Sequence, residues 1–374
     1  MIIKNGRVFQ EDGTFAEKDL YIEGKRFVST KEEVIDQEVI DAKGMMVLPG
    51  LVDVHSHGAA GHDFSDGDVE GLKEILRYEK AHGITSYCPT SMTLPKDDLL
   101  KIFGTIEAIK DEPEAEVIAG VNMEGPFISV SKKGAQDERN IIPCDAALFR
   151  EFQEAARGLI RFIGVAPETG LDRTLDFIRE VKGEVSVSLA HTNASYTDAK
   201  AAFDAGACHA VHLFNAMPAF THREPGVVGA VFDSKHVFAE LICDGVHIHP
   251  AMVRAAFAMM GAERICLISD SMRAAGMPDG SYTLGGLAVN VSGKHATLAE
   301  GGALAGSVTN LADCMRTAVK EMNIPLEEAI RCATLNPARA LHLEHRYGSI
   351  APGKTGNLVL LNPDLSLKQV IVNG

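Results

Sequence analysis

Three observations predict an α/β fold built on a (β/α)8 TIM-like barrel, with a small β-sandwich domain formed by the N- and C-terminal segments. Eight short apolar stretches, at 47–54, 84–90, 117–124, 160–167, 185–191, 207–212, 236–243 and 265–270, alternate with segments whose apolar residues recur at spacings of three and four. Side chains able to do chemistry fall at the C-terminal ends of those stretches, where such barrels carry their sites. The two chain ends show period-2 patterning and glycine turns, and resemble each other more than they resemble the centre.

At the N-terminus, MIIKNGRVF, KDLYIEG and KRFVST read as short antiparallel strands, and GKTGNLVLLNPDLSLKQVIVNG supplies two more at the C-terminus. Neither end holds enough apolar surface for its own core, so residues 1–46 and 347–374 are expected to assemble one small domain, leaving 47–346 for the barrel. Within the barrel, EGLKEILRYEKAHG, TLDFIREVKG, YTDAKAAFDAG and PAMVRAAFAMMG are helical by spacing, and each ends on glycine, a common helix stop. The sixth unit is the weakest, because 213–235 reads mostly as loop. A doubly wound sheet is the alternative, but no glycine-rich phosphate loop follows the first strand.

At 374 residues, with 46% hydrophobic and 23% charged residues, the chain has the composition of a folded soluble protein. A formal net charge of -15 sets its surface against nucleic acid and anionic membranes, although a few cations in a cleft can still bind an anion. There is no apolar run long enough to span a bilayer and no signal-like start, so a cytoplasmic location is expected. The cysteines at 88, 144, 208, 243, 266, 314 and 332 are odd in number and form no CxxC pair, which suits thiols in a reducing compartment.

The strand ends carry the chemistry. The first stretch runs into LVDVHSHG, where His55 and His57 are two apart and so project to one side of an extended strand. Glu124 ends the third, His191 the fifth, His212 the sixth and Asp270 the eighth. A closed barrel brings these six residues to one mouth. Four imidazoles and two carboxylates form an N/O donor set that accepts one or two divalent ions, with Zn, Fe, Mn and Co all open. His55, His57 and Asp270 are assigned to one ion, His191 and His212 to another, and Glu124 to a bridge. Asp270 is further assigned as general base, then general acid, for attack of activated water on a carbonyl.

These motifs resemble the amidohydrolase superfamily, and more closely its N-acetylglucosamine-6-phosphate deacetylases. The likeness runs from PGLVDVHSHG at 49–58 through NMEGPF, KKGA, LAHTNA, HLFNAMP, HREPGVVG, DGVHIHP and ISDSMRAAG to GGALAGS and ATLNPARALHL. It implies hydrolysis of N-acetyl-D-glucosamine 6-phosphate to D-glucosamine 6-phosphate and acetate, with another acylamino sugar phosphate such as the galactosamine epimer as the alternative. It implies Glu124, His191 and His212 as metal ligands and Asp270 as catalytic acid/base. The presence of His55 and His57 matches the two-metal type. Substrate contacts carried over are Ala135, Asn215, Ala216, Arg223, His247 and Leu304, with Arg223 as the phosphate-binding arginine. The likeness also implies a homodimer in which Arg223 and His247 lie near the neighbouring subunit's site. Many members have a histidine facing the acetyl carbonyl after KKGA. Gln136 stands there in this chain, able to donate to a carbonyl but not to carry charge, so activity with weaker pH coupling is expected.

Overall fold

The computed structural model describes residues 1–35 and 38–373; Asp36, Gln37 and Gly374, which fall within the terminal segments discussed above, lie outside it. Eight parallel strands form one sheet in strict chain order: Leu51–Ser56, Ile84–Ser91, Val121–Phe127, Ile160–Val165, Ser186–Leu189, His209–Ala210, Phe238–Ile242 and Ile265–Ile268. Each is followed by at least one helix, as crossover connections between parallel strands require. The ladder is not hydrogen-bonded between strands eight and one along their length. Above the strands, however, the Asp270 N–H donates to the His55 carbonyl at 2.9 Å and the His57 N–H to the Ser271 carbonyl at 2.8 Å. The seam therefore closes where the expected ligands lie.

The expected first barrel strand, 47–54, divides at Gly50. Met46–Pro49 runs in the terminal sheet and Leu51–Ser56 opens the barrel. A Cβ at Gly50 would sit 2.0 Å from Thr85 Oγ1, so only glycine lets the chain pass from one sheet to the other here. The sixth helix, Gly226–Asp233, falls inside the stretch that read as loop. Its sequence GVVGAVFD is buried from Gly226 through Phe232, so it has no polar face and no helical period to detect. A three-stranded antiparallel sheet, Gly280–Leu284, Leu287–Ser292 and His295–Leu298, follows strand eight in a region where pattern alone placed no element.

One apolar cluster fills the space between barrel and helices. A second gathers Val52, Cys88, Phe162, Ile242 and Ile268 from five different strands, which can meet only inside the closed sheet. The terminal strands form a seven-stranded mixed sheet in which Met46–Pro49 pairs with both Ile2–Phe9 and Leu358–Leu361. Its edge strand Arg26–Val28 reaches back to the C-terminal segment, with the Phe27 N–H on the Lys354 carbonyl at 2.9 Å. The sheet thus wraps round one cluster that includes Ile3, Val8, Ile22, Phe27, Val47 and Leu360.

Candidate metal centre

All six expected ligands meet at the barrel mouth. Among the described residues, His55, His57 and Asp270 form one group and Glu124, His191 and His212 another, the ligand atoms within each group lying within 4.8 Å of one another. Glu124 belongs to strand three, whereas His191, His212 and Asp270 follow their strands in left-handed backbone, with φ of 43°, 27° and 47°. That region is unfavourable for any residue with a Cβ. It turns each side chain back over the mouth instead of letting it continue outward along the strand.

Ring orientation decides what these residues can hold. His57 Nδ1 donates to the Thr90 carbonyl at 3.1 Å, His191 Nδ1 to the Lys132 carbonyl at 2.8 Å and His212 Nδ1 to the Asn215 carbonyl at 3.1 Å. A carbonyl only accepts, so each Nδ1 carries the proton and each neutral ring keeps its lone pair on Nε2. His55 Nδ1 is held likewise by Glu240 Oε2 at 2.9 Å. All four Nε2 atoms therefore face the carboxylates. His191 and His212 Nε2 lie 3.2 Å apart and 3.0 and 2.9 Å from Glu124 Oε1. His57 Nε2 is 3.3 Å from Glu124 Oε2 and 3.4 Å from Asp270 Oδ1. His55 Nε2 is buried without a hydrogen-bond partner among the described residues, 3.5 Å from Glu124 Oε1 and 3.6 Å from Asp270 Oδ1. Lone pairs converging on one another repel unless a cation lies among them. The donor set fits one or two divalent ions, with Glu124 Oε1 against His191 and His212 and 3.5 Å from His55 Nε2, and Glu124 Oε2 against His57.

The electrostatics agree. Burial opposes charge on His55, yet Glu240, Glu124 and Asp270 hold its pKa up at about 9. His57 is raised well above the usual imidazole value, against its burial, by Asp270 and Glu124. Burial would push Glu124 up, but His191 and His55 hold it well below the carboxylate range. Asp270 is lowered in the same way by His57 and His55. The carboxylates demand positive charge here, and divalent ions supply it while leaving the imidazoles neutral.

Above this floor lies a cleft of about 360 Å³, whose wall includes Ala135, Gln136, Asn215, Ala216, His247 and Leu304. His247 is anchored through Nδ1 to Asp244 Oδ2 at 2.7 Å, and Asp244 also accepts from the His247 backbone. Arg223 does not line this cleft and is exposed on the loop before Gly226–Asp233. Gln136 reaches the cleft, but its Nε2 donates to Glu124 Oε2 at 2.7 Å rather than standing free for a carbonyl. Sequence reasoning passed over Glu240 of strand seven, which holds both His55 and His209 and also accepts the His212 N–H. Its only signal was an acid inside the apolar strand FAELI.

The family model described as the amidohydrolase family matches residues 46–374. The chain belongs to the amidohydrolase family. It is 34% identical to an N-acetylglucosamine-6-phosphate deacetylase of Bacillus subtilis, over 100% of this chain and 93% of that protein. It is equally identical, 34%, to an N-acetylgalactosamine-6-phosphate deacetylase of Escherichia coli O157:H7, over 100% and 98%. The solved N-acetyl-D-glucosamine-6-phosphate deacetylase of Mycobacterium smegmatis superposes with a TM-score of 0.91 at 31% identity, covering 100% of this chain and 99% of that one. As an amidohydrolase, the chain is a metal-dependent hydrolase with room for two ions. No helix among the described residues is long and apolar enough to cross a membrane.

Proposed function

We propose that the protein hydrolyses the acetamido group of N-acetyl-D-glucosamine 6-phosphate, giving D-glucosamine 6-phosphate and acetate. The observation that carries this is the gathering of four imidazole Nε2 atoms and two carboxylates into two adjoining triads at the floor of a cleft sized for a small molecule. A divalent ion at these ligands supplies Lewis acidity, polarising an amide carbonyl and making water acidic near neutral pH. Asp270 then does the proton work. Its carboxylate takes the proton of the attacking water as the new C–O bond forms, and returns it to the departing amine nitrogen as the C–N bond breaks. The Asp270 main-chain hydrogen bond to His55 keeps this carboxylate beside the ligands throughout. The relatives' substrates and the cleft's place support Asn215, Ala216, Ala135, Leu304 and His247 as sugar contacts.

Arg223, exposed beyond the cleft of its own chain, is read as the phosphate ligand of a neighbouring subunit's site in a homodimer, its planar fork matching phosphate oxygens. The seven unpaired cysteines suit a cytoplasmic setting. The galactosamine epimer is the second reading, because the two named relatives are equally identical to this chain.

The test is acetate release from N-acetylglucosamine 6-phosphate, N-acetylgalactosamine 6-phosphate and unphosphorylated N-acetylglucosamine on protein of measured metal content. The first substrate is expected to turn over fastest and the unphosphorylated sugar far more slowly. Turnover of none overturns the reading, and equal turnover with and without phosphate removes the part given to Arg223.

A further inference from the structure

We propose that Gln136 is a positioning residue of the metal centre, clamping the Glu124 carboxylate so that Oε1 stays with His191 and His212 and Oε2 stays beside His57. Gln136 is 2% exposed, and its amide bridges two groups. Thr93 N–H lies 2.7 Å from one amide atom and can only donate, so that atom is Oε1. The other amide atom is therefore Nε2, and it donates to Glu124 Oε2 at 2.7 Å. The second Nε2 hydrogen has Met92 Sδ at 3.7 Å. Neither hydrogen is free for a ligand in the cleft.

The same loop residue holds Glu124 a second time, because Thr93 Oγ1 donates to the Glu124 carbonyl at 3.1 Å. Thr93 thus fixes the Glu124 main chain directly and its side chain through Gln136. These bonds hold the carboxylate plane in one orientation. Oε1 stays with His191 and His212, and Oε2 stays 3.3 Å from His57 with one of its two lone pairs taken by the amide and the other left for the His55, His57 and Asp270 triad. Outer partners of this kind usually govern metal affinity by about 10–100-fold.

The inference rests on the two triads holding divalent ions, not on the identity of the substrate. Co2+ is the probe, with affinity measured by chelator competition and coordination by visible absorption. Gln136→Met, matched in length but without an N–H, is expected to bind Co2+ at least about tenfold more weakly, and its acetate release recovers at excess Co2+. Gln136→His, whose Nε2 lies as many bonds from the backbone as the amide nitrogen does, is expected to stay within about fivefold of the parent protein. Affinity and spectrum unchanged in Gln136→Met, with turnover lost even at saturating Co2+, would place Gln136 on the substrate and overturn the proposal.

A second measurement needs no variant. The chain has five glutamines. With their side-chain amides labelled with 15N, one pair is expected to shift on addition of Zn2+ without any sugar present. Five pairs indifferent to Zn2+ overturn the proposal. The Co2+ affinity and spectrum and the amide shifts are read without substrate, so each of these stands even if the protein releases no acetate.

Discussion

The barrel mouth and the underside of the first helix both bury carboxyl groups, and they treat them in opposite ways. At the mouth, Glu124, Glu240 and Asp270 are all less than a tenth exposed, and imidazoles hold each below the ordinary carboxylate range in spite of burial. On the helix Val69–Ala81, Glu79 is fully buried, and neither of its oxygens has a hydrogen-bond partner among the described residues. Burial, with Asp53 nearby adding like charge, pushes it well above that range. The cost of removing a carboxylate from water is similar in both places, so the neighbours decide the outcome. Where imidazoles surround the acid it stays charged and draws cations. Where no such partner faces it, burial favours the neutral form.

The contrast is broken most severely at Asp270. Asp270→Asn keeps the shape but cannot accept the water's proton, and acetate release is expected to fall by about 10²–10⁴-fold with the circular dichroism unchanged. A loss of less than about tenfold would show that the proton goes elsewhere. Glu240→Gln comes next. It removes the charge that holds His55 Nδ1 and His209 Nε2, each at 2.9 Å, without touching a proposed ligand atom. Divalent-ion affinity is expected to drop by about 10–100-fold, read by chelator competition. An unchanged affinity would mean that burial alone orients His55.

Residues whose chemistry shows in their own identity were legible from sequence. HSH at 55–57, Glu124, His191, His212 and Asp270 meet at one mouth as their places near strand ends implied, and eight strands were visible as apolar runs. What escaped depended on three-dimensional neighbours. Glu240 is one acid in a buried strand, and only the closed barrel shows that it faces His55 and His209. Gln136 was expected to face the acetyl carbonyl from its place in the chain; its hydrogen bond to Glu124 Oε2, set by where Thr93 fixes the amide, had no signal in the sequence. The helix Gly226–Asp233 lacked a signal because a segment buried on all sides has no polar period. The strand Leu287–Ser292 alternates exposed and buried residues, but it and its two neighbours lie beyond the last barrel strand, where no further element was required.

The smallest expected effect sharpens the contrast from its other side. Glu79 has a folded pKa above its unfolded one, so the two states bind protons alike below the unfolded value, near 4.5. As pH rises past that point the unfolded chain ionises Glu79 while the native state keeps the proton. Native stability then declines by about 1.4 kcal/mol per pH unit until the folded pKa is reached. The side-chain amide of the variant Glu79→Gln cannot ionise and carries no such slope. The melting temperature of Glu79→Gln relative to the parent is therefore expected to rise between pH 5 and pH 8, by a few degrees at most in a chain of this length. The sign is opposite to that of a charged, partnered carboxylate such as Glu124, whose contribution is present above the unfolded pKa and fades as pH falls. Parallel melting curves for parent and variant across that window would mean that Glu79 is already charged and answered in the native protein. The two regions would then differ only in which cation their carboxylates face.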